Sequence, residues 1–126
     1  MLALMLALAV PGPALAEWFP VTTSREGSVF SLDPDRIRTV GGKRHVWMKG
    51  DHSRNRGESS RSSMTLLSID CASSTIKTLS DTRYDSYGKA TSTRSYPDYG
   101  VGYDPITPES IADEVARRAC AAGDPL

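Results

Sequence analysis

The sequence predicts an α+β domain: an antiparallel meander of five or six strands with one helix at its C-terminal end, packed on one face and tied there by a disulfide. Three observations lead to this. Short alternating or β-branched segments, separated by turn residues, fill the first two thirds of the chain. One amphipathic helical pattern follows at the end, "TPESIADEVARRACAAG". The chain has two cysteines, one at the end of the most apolar strand segment and one in that helix.

The first sixteen residues, "MLALMLALAVPGPALA", read as an export signal. An apolar run from Leu2 to Val10 meets a Pro-Gly-Pro breaker, then ends in Ala-Leu-Ala, a small-x-small cleavage pattern between Ala16 and Glu17. The run is too short to span a bilayer as a helix. It carries no Lys or Arg before the apolar stretch, which places the true start upstream or makes the signal weak. Residues 1–16 are therefore expected to be removed, and residues 17–126 to form a single domain that is periplasmic, secreted or displayed on the cell surface. The cleavage region has no cysteine to accept a lipid.

Lys plus Arg and Asp plus Glu both number 15. A balanced charge argues against a nucleic-acid binder, which carries a basic excess. No further apolar run of membrane length occurs. In an exported chain, two cysteines most simply pair. The alternative is two buried free thiols. A Cys71–Cys120 bridge would close a loop of about fifty residues and contribute roughly 4 kcal/mol in the chain-entropy account. That is a large share for a domain whose core is small.

The elements follow in order. "EWFPVTT" opens as a strand that Pro20 confines to an edge or a bulge. "SVFSL" (28–32) alternates as a half-buried strand should, and "DPDRI" turns. "TVGGKR" is a tight Gly-Gly connection into "RHVWMK" (44–49). "GDHSRNRGESSRSS" (50–63) has no apolar residue and reads as an exposed, mobile loop. "MTLLSID" (64–70) is the most apolar strand. Two polar strands flank Gly88-Lys89, a pair suited to a type II′ turn. In the helix, Thr107 is the expected N-cap, Pro108 the first helical residue and Gly123 the terminator. At roughly 100° per residue, Ile111, Ala112, Val115, Ala116, Ala119 and Cys120 share one half. That half is expected on the apolar face of Leu67 and Ile69, with Cys71 within reach of Cys120.

Taken together, Trp18, "VFSLDPDRI", "GGKRHVWMKGD", Asp70-Cys71, "YDSYGKA" and "ITPESIADEVARRAC" resemble the surface-adhesin protein E family of Gram-negative bacteria. The resemblance runs over nearly all of the chain after the signal and rests on order and spacing. It implies a small antiparallel sheet with a disulfide-tied C-terminal helix. It also implies non-enzymatic binding: the namesake is an outer-membrane lipoprotein that binds host extracellular-matrix proteins. This chain departs from the namesake in lacking the lipidation cysteine.

No catalytic, metal or cofactor site is expected. His45, His52 and the cysteines lack zinc-ligand spacing. Asp51, Ser53 and Asn55 outline a calcium loop, but the glycine is one position late, Glu58 is four early, and Arg54 and Arg56 repel a cation. Ser59, Ser60, Ser62 and Ser63 lie in no nucleophile motif, and Asp81 and Asp85 read as hairpin surface charges. Two features could bind a protein partner. Arg54, Arg56 and Arg61 suit anionic groups, although a solvated loop would look the same. Tyr84, Tyr87, Tyr96 and Tyr99, with Tyr103 beyond them, suit an interface, although they could equally cover a thin core. A polar hairpin edge would also allow strand addition or a homodimer. The leading expectation is an exported binding module. The alternative is a periplasmic structural or envelope-associated protein without adhesin activity.

Overall fold

The structure is a computed structural model that describes residues 17–96 and 102–122. The expected signal peptide with Ala16, as well as Tyr99 and the Gly123 terminator, lies outside the described residues. Strands β1 (Phe19–Thr23), β2 (Val29–Leu32), β3 (Arg38–Val40), β4 (Lys43–Asp51), β5 (Ser62–Asp70), β6 (Thr75–Tyr84), β7 (Ala90–Ser95) and β8 (Asp104–Pro105) form one antiparallel sheet, and helix α1 is Ile111–Ala121. Across the sheet the order is β1-β2-β4-β5-β6-β7. The short β3 continues along the same edge of β4 that β2 occupies, and β8 likewise shares the edge of β6 with β7. The meander therefore has six positions, two of them filled by interrupted strands.

Local chemistry sets these breaks. Asp33 ends β2 and caps a 3₁₀ turn (Pro34–Arg36), accepting from the Asp35 N–H at 3.1 Å and pairing with Arg36 at 3.1 Å. Gly41 and Gly42 both have positive φ, 58° and 79°, and join β3 to β4 with the Val40–Lys43 pair closing the hairpin. Two consecutive left-handed residues are what a type I′ turn requires, and glycine adopts them without cost. Pro20 lies on the edge strand, and β1 slips register against β2 between Pro20 and Thr22. Both the edge and the bulge readings of Pro20 hold.

Directly opposed residues share a face. Leu32, Val46, Leu67 and Ile69 lie on one face, and with Ile37 they meet Val115, Ala116 and Ala119 of α1 in the core. The polar half of the helix, Glu114, Arg117 and Arg118, is exposed as the 3.6-residue period demands. The Cys71–Cys120 disulfide is formed, with Cα atoms 5.9 Å apart, inside the range such bridges need. β5 stops at Asp70, so Cys71 is the exposed first residue of the β5–β6 turn rather than a strand position.

Two expectations change. The β6–β7 connection is not a two-residue type II′ turn. Asp85 O accepts the Gly88 N–H at 3.1 Å and the Asp85 N–H meets Lys89 O at 2.9 Å, so Gly88 (φ 77°) ends the loop instead of opening it. Asp85 Oδ1 accepts from the Tyr87 and Lys89 N–H groups as well. The helix also starts later than expected. Thr107–Ser110 is a turn in which Glu109 has φ 64°, and Ser110 is the N-cap, accepting from Asp113 N–H at 3.1 Å. Asp113 in turn accepts from Glu109 N–H at 2.8 Å and from Arg117 at 2.9 Å. The Glu109 bond chiefly holds the Asp113 carboxyl below its ordinary pKa. The Ser110 cap, with Asp113 holding the N–H of the residue before it, displaces Pro108 from the first helical position.

The two cap assignments separate by mutation. Ser110→Ala is expected to destabilise the fold by about 1 kcal/mol. Thr107→Ala, which leaves its accepting backbone carbonyl in place, should cost less than half as much. Urea unfolding midpoints at constant m-value decide between them.

Candidate functional site

The candidate site is one end of the sheet, where the 52–61 loop between β4 and β5 meets the β6–β7 hairpin. The sequence treats its arginines and tyrosines as two separate features. The fold joins several of them. The Arg61 N–H donates to Tyr84 O at 2.8 Å, and Ser62 pairs with Tyr84 across β5 and β6. Arg54, Arg56 and Arg61 are exposed, Tyr84 is half-buried, and Tyr87 is 94% exposed at the hairpin tip. Tyr96 lies beyond the far end of β7, with its N–H donated to Leu79 O at 2.7 Å, and does not join this surface. Tyr103 covers the second face of the sheet. Its hydroxyl bonds Ser68 at 2.7 Å, and the Lys43 and Lys77 ammonium groups stand 5.0 and 5.8 Å from its ring.

The loop is not the free solvated segment that its composition suggests. His52 is only 6% exposed, and it stands edge-on to Phe30 with ring centroids 6.0 Å apart. Its Nδ1 bonds Ser28 Oγ at 2.7 Å and its Nε2 bonds Ser63 Oγ at 2.9 Å. A neutral imidazole has one N–H and one lone pair, so one serine accepts from the ring and the other donates to it. Asn55 Nδ2 adds a bond to Ser28 Oγ at 2.9 Å, and Asn55 Oδ1 accepts from Gly57 N–H at 3.0 Å. At the loop's base the His52 N–H reaches Arg61 O at 2.9 Å. Glu58 pairs with Arg83 at 3.5 Å, and Arg83 with Asp81 at 3.1 Å. Each of these bonds lowers the freedom of backbone that carries an exposed arginine.

A histidine between two serines raises the question of nucleophilic catalysis. Ser28 and Ser63 are 2% and 3% exposed, and no carboxylate is bonded to the ring. A substrate carbonyl has no approach to either oxygen in this packing. The trio acts as a bracket that ties the loop to β2 and β5. Asp81 and Asp85 serve separate roles: Asp81 accepts from Thr65 at 3.0 Å and pairs with Arg83, whereas Asp85 shapes the turn. Among the described residues, no three His, Cys, Asp or Glu side chains converge as metal ligands.

Reading residues in order missed this bracket because its three members are distant in sequence. One signal was available: Gly50 inside a strand, a residue that marks a close approach. A Cβ on Gly50 would lie 2.8 Å from His52 Nε2 and 2.9 Å from Cε1, and nearer still to Ser63 Oγ. Gly50→Ala is therefore expected to destabilise by about 1–3 kcal/mol, as overpacking does. Gly57→Ala, whose Cβ would meet only Asn55 Oδ1 at 3.5 Å, should be near neutral. Denaturant unfolding of the two variants tests the pair.

Burial pushes the His52 pKa below the ordinary imidazole value, against the pull of Glu58, Asp51 and Asp81 and with help from Arg83. The unfolded chain takes up a proton as pH falls through about 6.5, while the folded ring resists until lower pH. In that window the unfolded state binds more protons, so stability falls as pH falls. The expected result is a flat unfolding free energy above about pH 7.5 and a decline from about pH 7 downwards. In His52→Asn, a less stable protein, that segment of the slope should vanish. An unchanged slope would remove His52 as its source.

The family model for surface-adhesin protein E matches residues 18–121. No curated protein and no solved structure matches the chain. No helix among the described residues is long and apolar enough to cross a membrane. A match running from Trp18 to Ala121 takes in every strand, the 52–61 loop, both cysteines and the closing helix, and so this chain belongs to the surface-adhesin protein E family.

Proposed function

We propose that this chain is an exported, non-enzymatic binding module that grips a protein partner with the loop end of its sheet. The partner class is an acidic surface patch, with a host extracellular-matrix protein as the family's natural choice. One observation carries the reading: exposed arginines and an exposed tyrosine sit on a loop and a turn whose backbones are tied down by buried or reciprocal hydrogen bonds. A binding surface loses less entropy on association when it is already ordered. Arginine suits carboxylates through its planar fork, and tyrosine contributes large contact area with few rotamers.

Removal of residues 1–16 and export fit the same reading. The exposed edge of β7, six residues without proline, is where self-association or strand addition would occur.

Substituting Arg54, Arg56 and Arg61 together by Ala tests the proposal. Binding to immobilised extracellular-matrix protein should fall by about tenfold or more, since several charge-assisted contacts are lost at once. The melting temperature should move by no more than about 3 °C, as for exposed residues outside special contacts. Undiminished binding would move the contact elsewhere. Labelling of intact cells by antibody separates surface display from confinement to the periplasm, which would leave no host partner within reach.

A further inference from the structure

We infer that the sheet face opposite α1 carries a second site, a groove for an acidic polysaccharide. The groove encloses about 450 Å³ and runs along β2, with Val29 and Ser31 in its lining. Trp18 and Pro20 stand at one end, and Gly27, Ser53 and Arg54 at the other, with Lys49 and Asp51 of β4 on one side. Register confirms the face: Ser31 opposes Lys49 and Val29 opposes Asp51, whereas the core residues Leu32 and Met48 form the alternate pair. α1 and the core therefore lie on the other side of the sheet.

The chemistry of the lining selects the ligand. Trp18 offers an indole surface, with Lys49 Nζ 6.0 Å from its ring centroid. Lys49 and Arg54 supply two cations against the single carboxylate of Asp51, and neither cation is paired with a carboxylate among the described residues. Asp51 accepts from the Ser53 N–H at 3.0 Å, and that bond is the chief cause of its lowered pKa. It stays ionised and keeps acceptor capacity for hydroxyl groups. An aromatic plate, hydroxyl acceptors and unpaired cations in line suit stacked sugar rings bearing acidic groups. A peptide fits less well, because β2 is paired on both edges, with β1 and β4, and has no free main-chain edge to offer. From the level of Trp18 to that of Gly27 the groove spans about 20 Å at the usual strand rise, enough for several sugar units.

Calorimetric and fluorescence titration of the protein with defined hexasaccharides tests this. A heparin hexasaccharide, a hyaluronan hexasaccharide or both should bind, and maltohexaose should not. Binding of heparin alone identifies sulfate as the recognised group, and binding of both identifies carboxylate. Lys49→Gln and Trp18→Leu should each weaken binding by about fivefold or more. Lys49 is half-buried on the face away from the core, so Lys49→Gln should fold even if Trp18→Leu does not. Arg56→Gln, Arg61→Gln and the remote Arg118→Gln should change it by less than about twofold. Failure of both acidic sugars to bind overturns the inference. So does a loss that follows Arg56 and Arg61 instead of Lys49, which would assign the sugar to the loop end. Equal or tighter binding of poly-glutamate through Lys49 and Trp18 would overturn the sugar assignment in favour of an acidic peptide. Matrix-protein binding by the Lys49→Gln variant should be retained, which separates the groove from the loop-end surface although Arg54 lines both.

Discussion

A single short helix against long strands is the constraint on which the rest of this molecule depends. α1 has 11 residues and so extends about 16 Å, whereas the nine-residue β5 extends about 30 Å. The helix can therefore close only part of the face it packs on. Leu32, Val46, Leu67 and Ile69 gather under it. Towards the loop end the same face turns polar, with Ser63, Thr65, Asp81 and Arg83. A buried polar patch is stable only when its groups are bonded. His52 bonds Ser63 and Glu58 pairs with Arg83 from a loop that folds back over the patch, and His52 and Asn55 tie that loop to Ser28, just before β2. The ordered loop is thus a consequence of the short helix, and the exposed arginines come along with it.

The same shortage of apolar material explains the disulfide. Val115 is the only large side chain that α1 buries completely, and its other fully covered contacts are alanines. Alanine allows close approach but removes little apolar area from water. The bridge from Cys120 to the β5–β6 turn holds the C-terminal end of the helix where packing alone is thin. At the N-terminal end, the Ser110–Asp113 capping bonds do the equivalent work. The helix is secured at its two ends by covalent and polar means, with a modest apolar contact between them.

The sequence made the scaffold legible wherever the signal was local. Alternation marked the strands, Pro20 the edge bulge, Gly41-Gly42 the tight hairpin, and two cysteines in an exported chain the tie. It failed where a partner lay far along the chain. His52 looked like a loop histidine because nothing near it is apolar. Its burial depends on Phe30 and Ser28, more than twenty positions upstream, and on Ser63, eleven positions downstream. Gly88 was misplaced in its turn because Asp85, three residues earlier, shapes the loop with its side chain. The helix starts later than Thr107-Pro108 suggests because the Ser110 hydroxyl caps Asp113 N–H while the Asp113 carboxylate holds Glu109 N–H. Arg61 and Tyr84 came together only once β5 and β6 were in register.

Gly27 links the loop end to the groove on the opposite face. Its φ is 103°, in the region that favours glycine, and a Cβ there would approach Arg54 O to 3.0 Å. The β1–β2 turn and the 52–61 loop therefore touch backbone to backbone at this point. That contact sets the height of the loop, which carries Arg54, and at the same time forms the end wall of the groove that Arg54 lines. His52 fixes the loop from the inner side of the sheet and Gly27 from its rim. A change that lifts the loop off Ser28 would move Arg54 away from Lys49 and open the groove. The two surfaces share Arg54 and the ordered backbone that carries it, so the order of that loop bears on both.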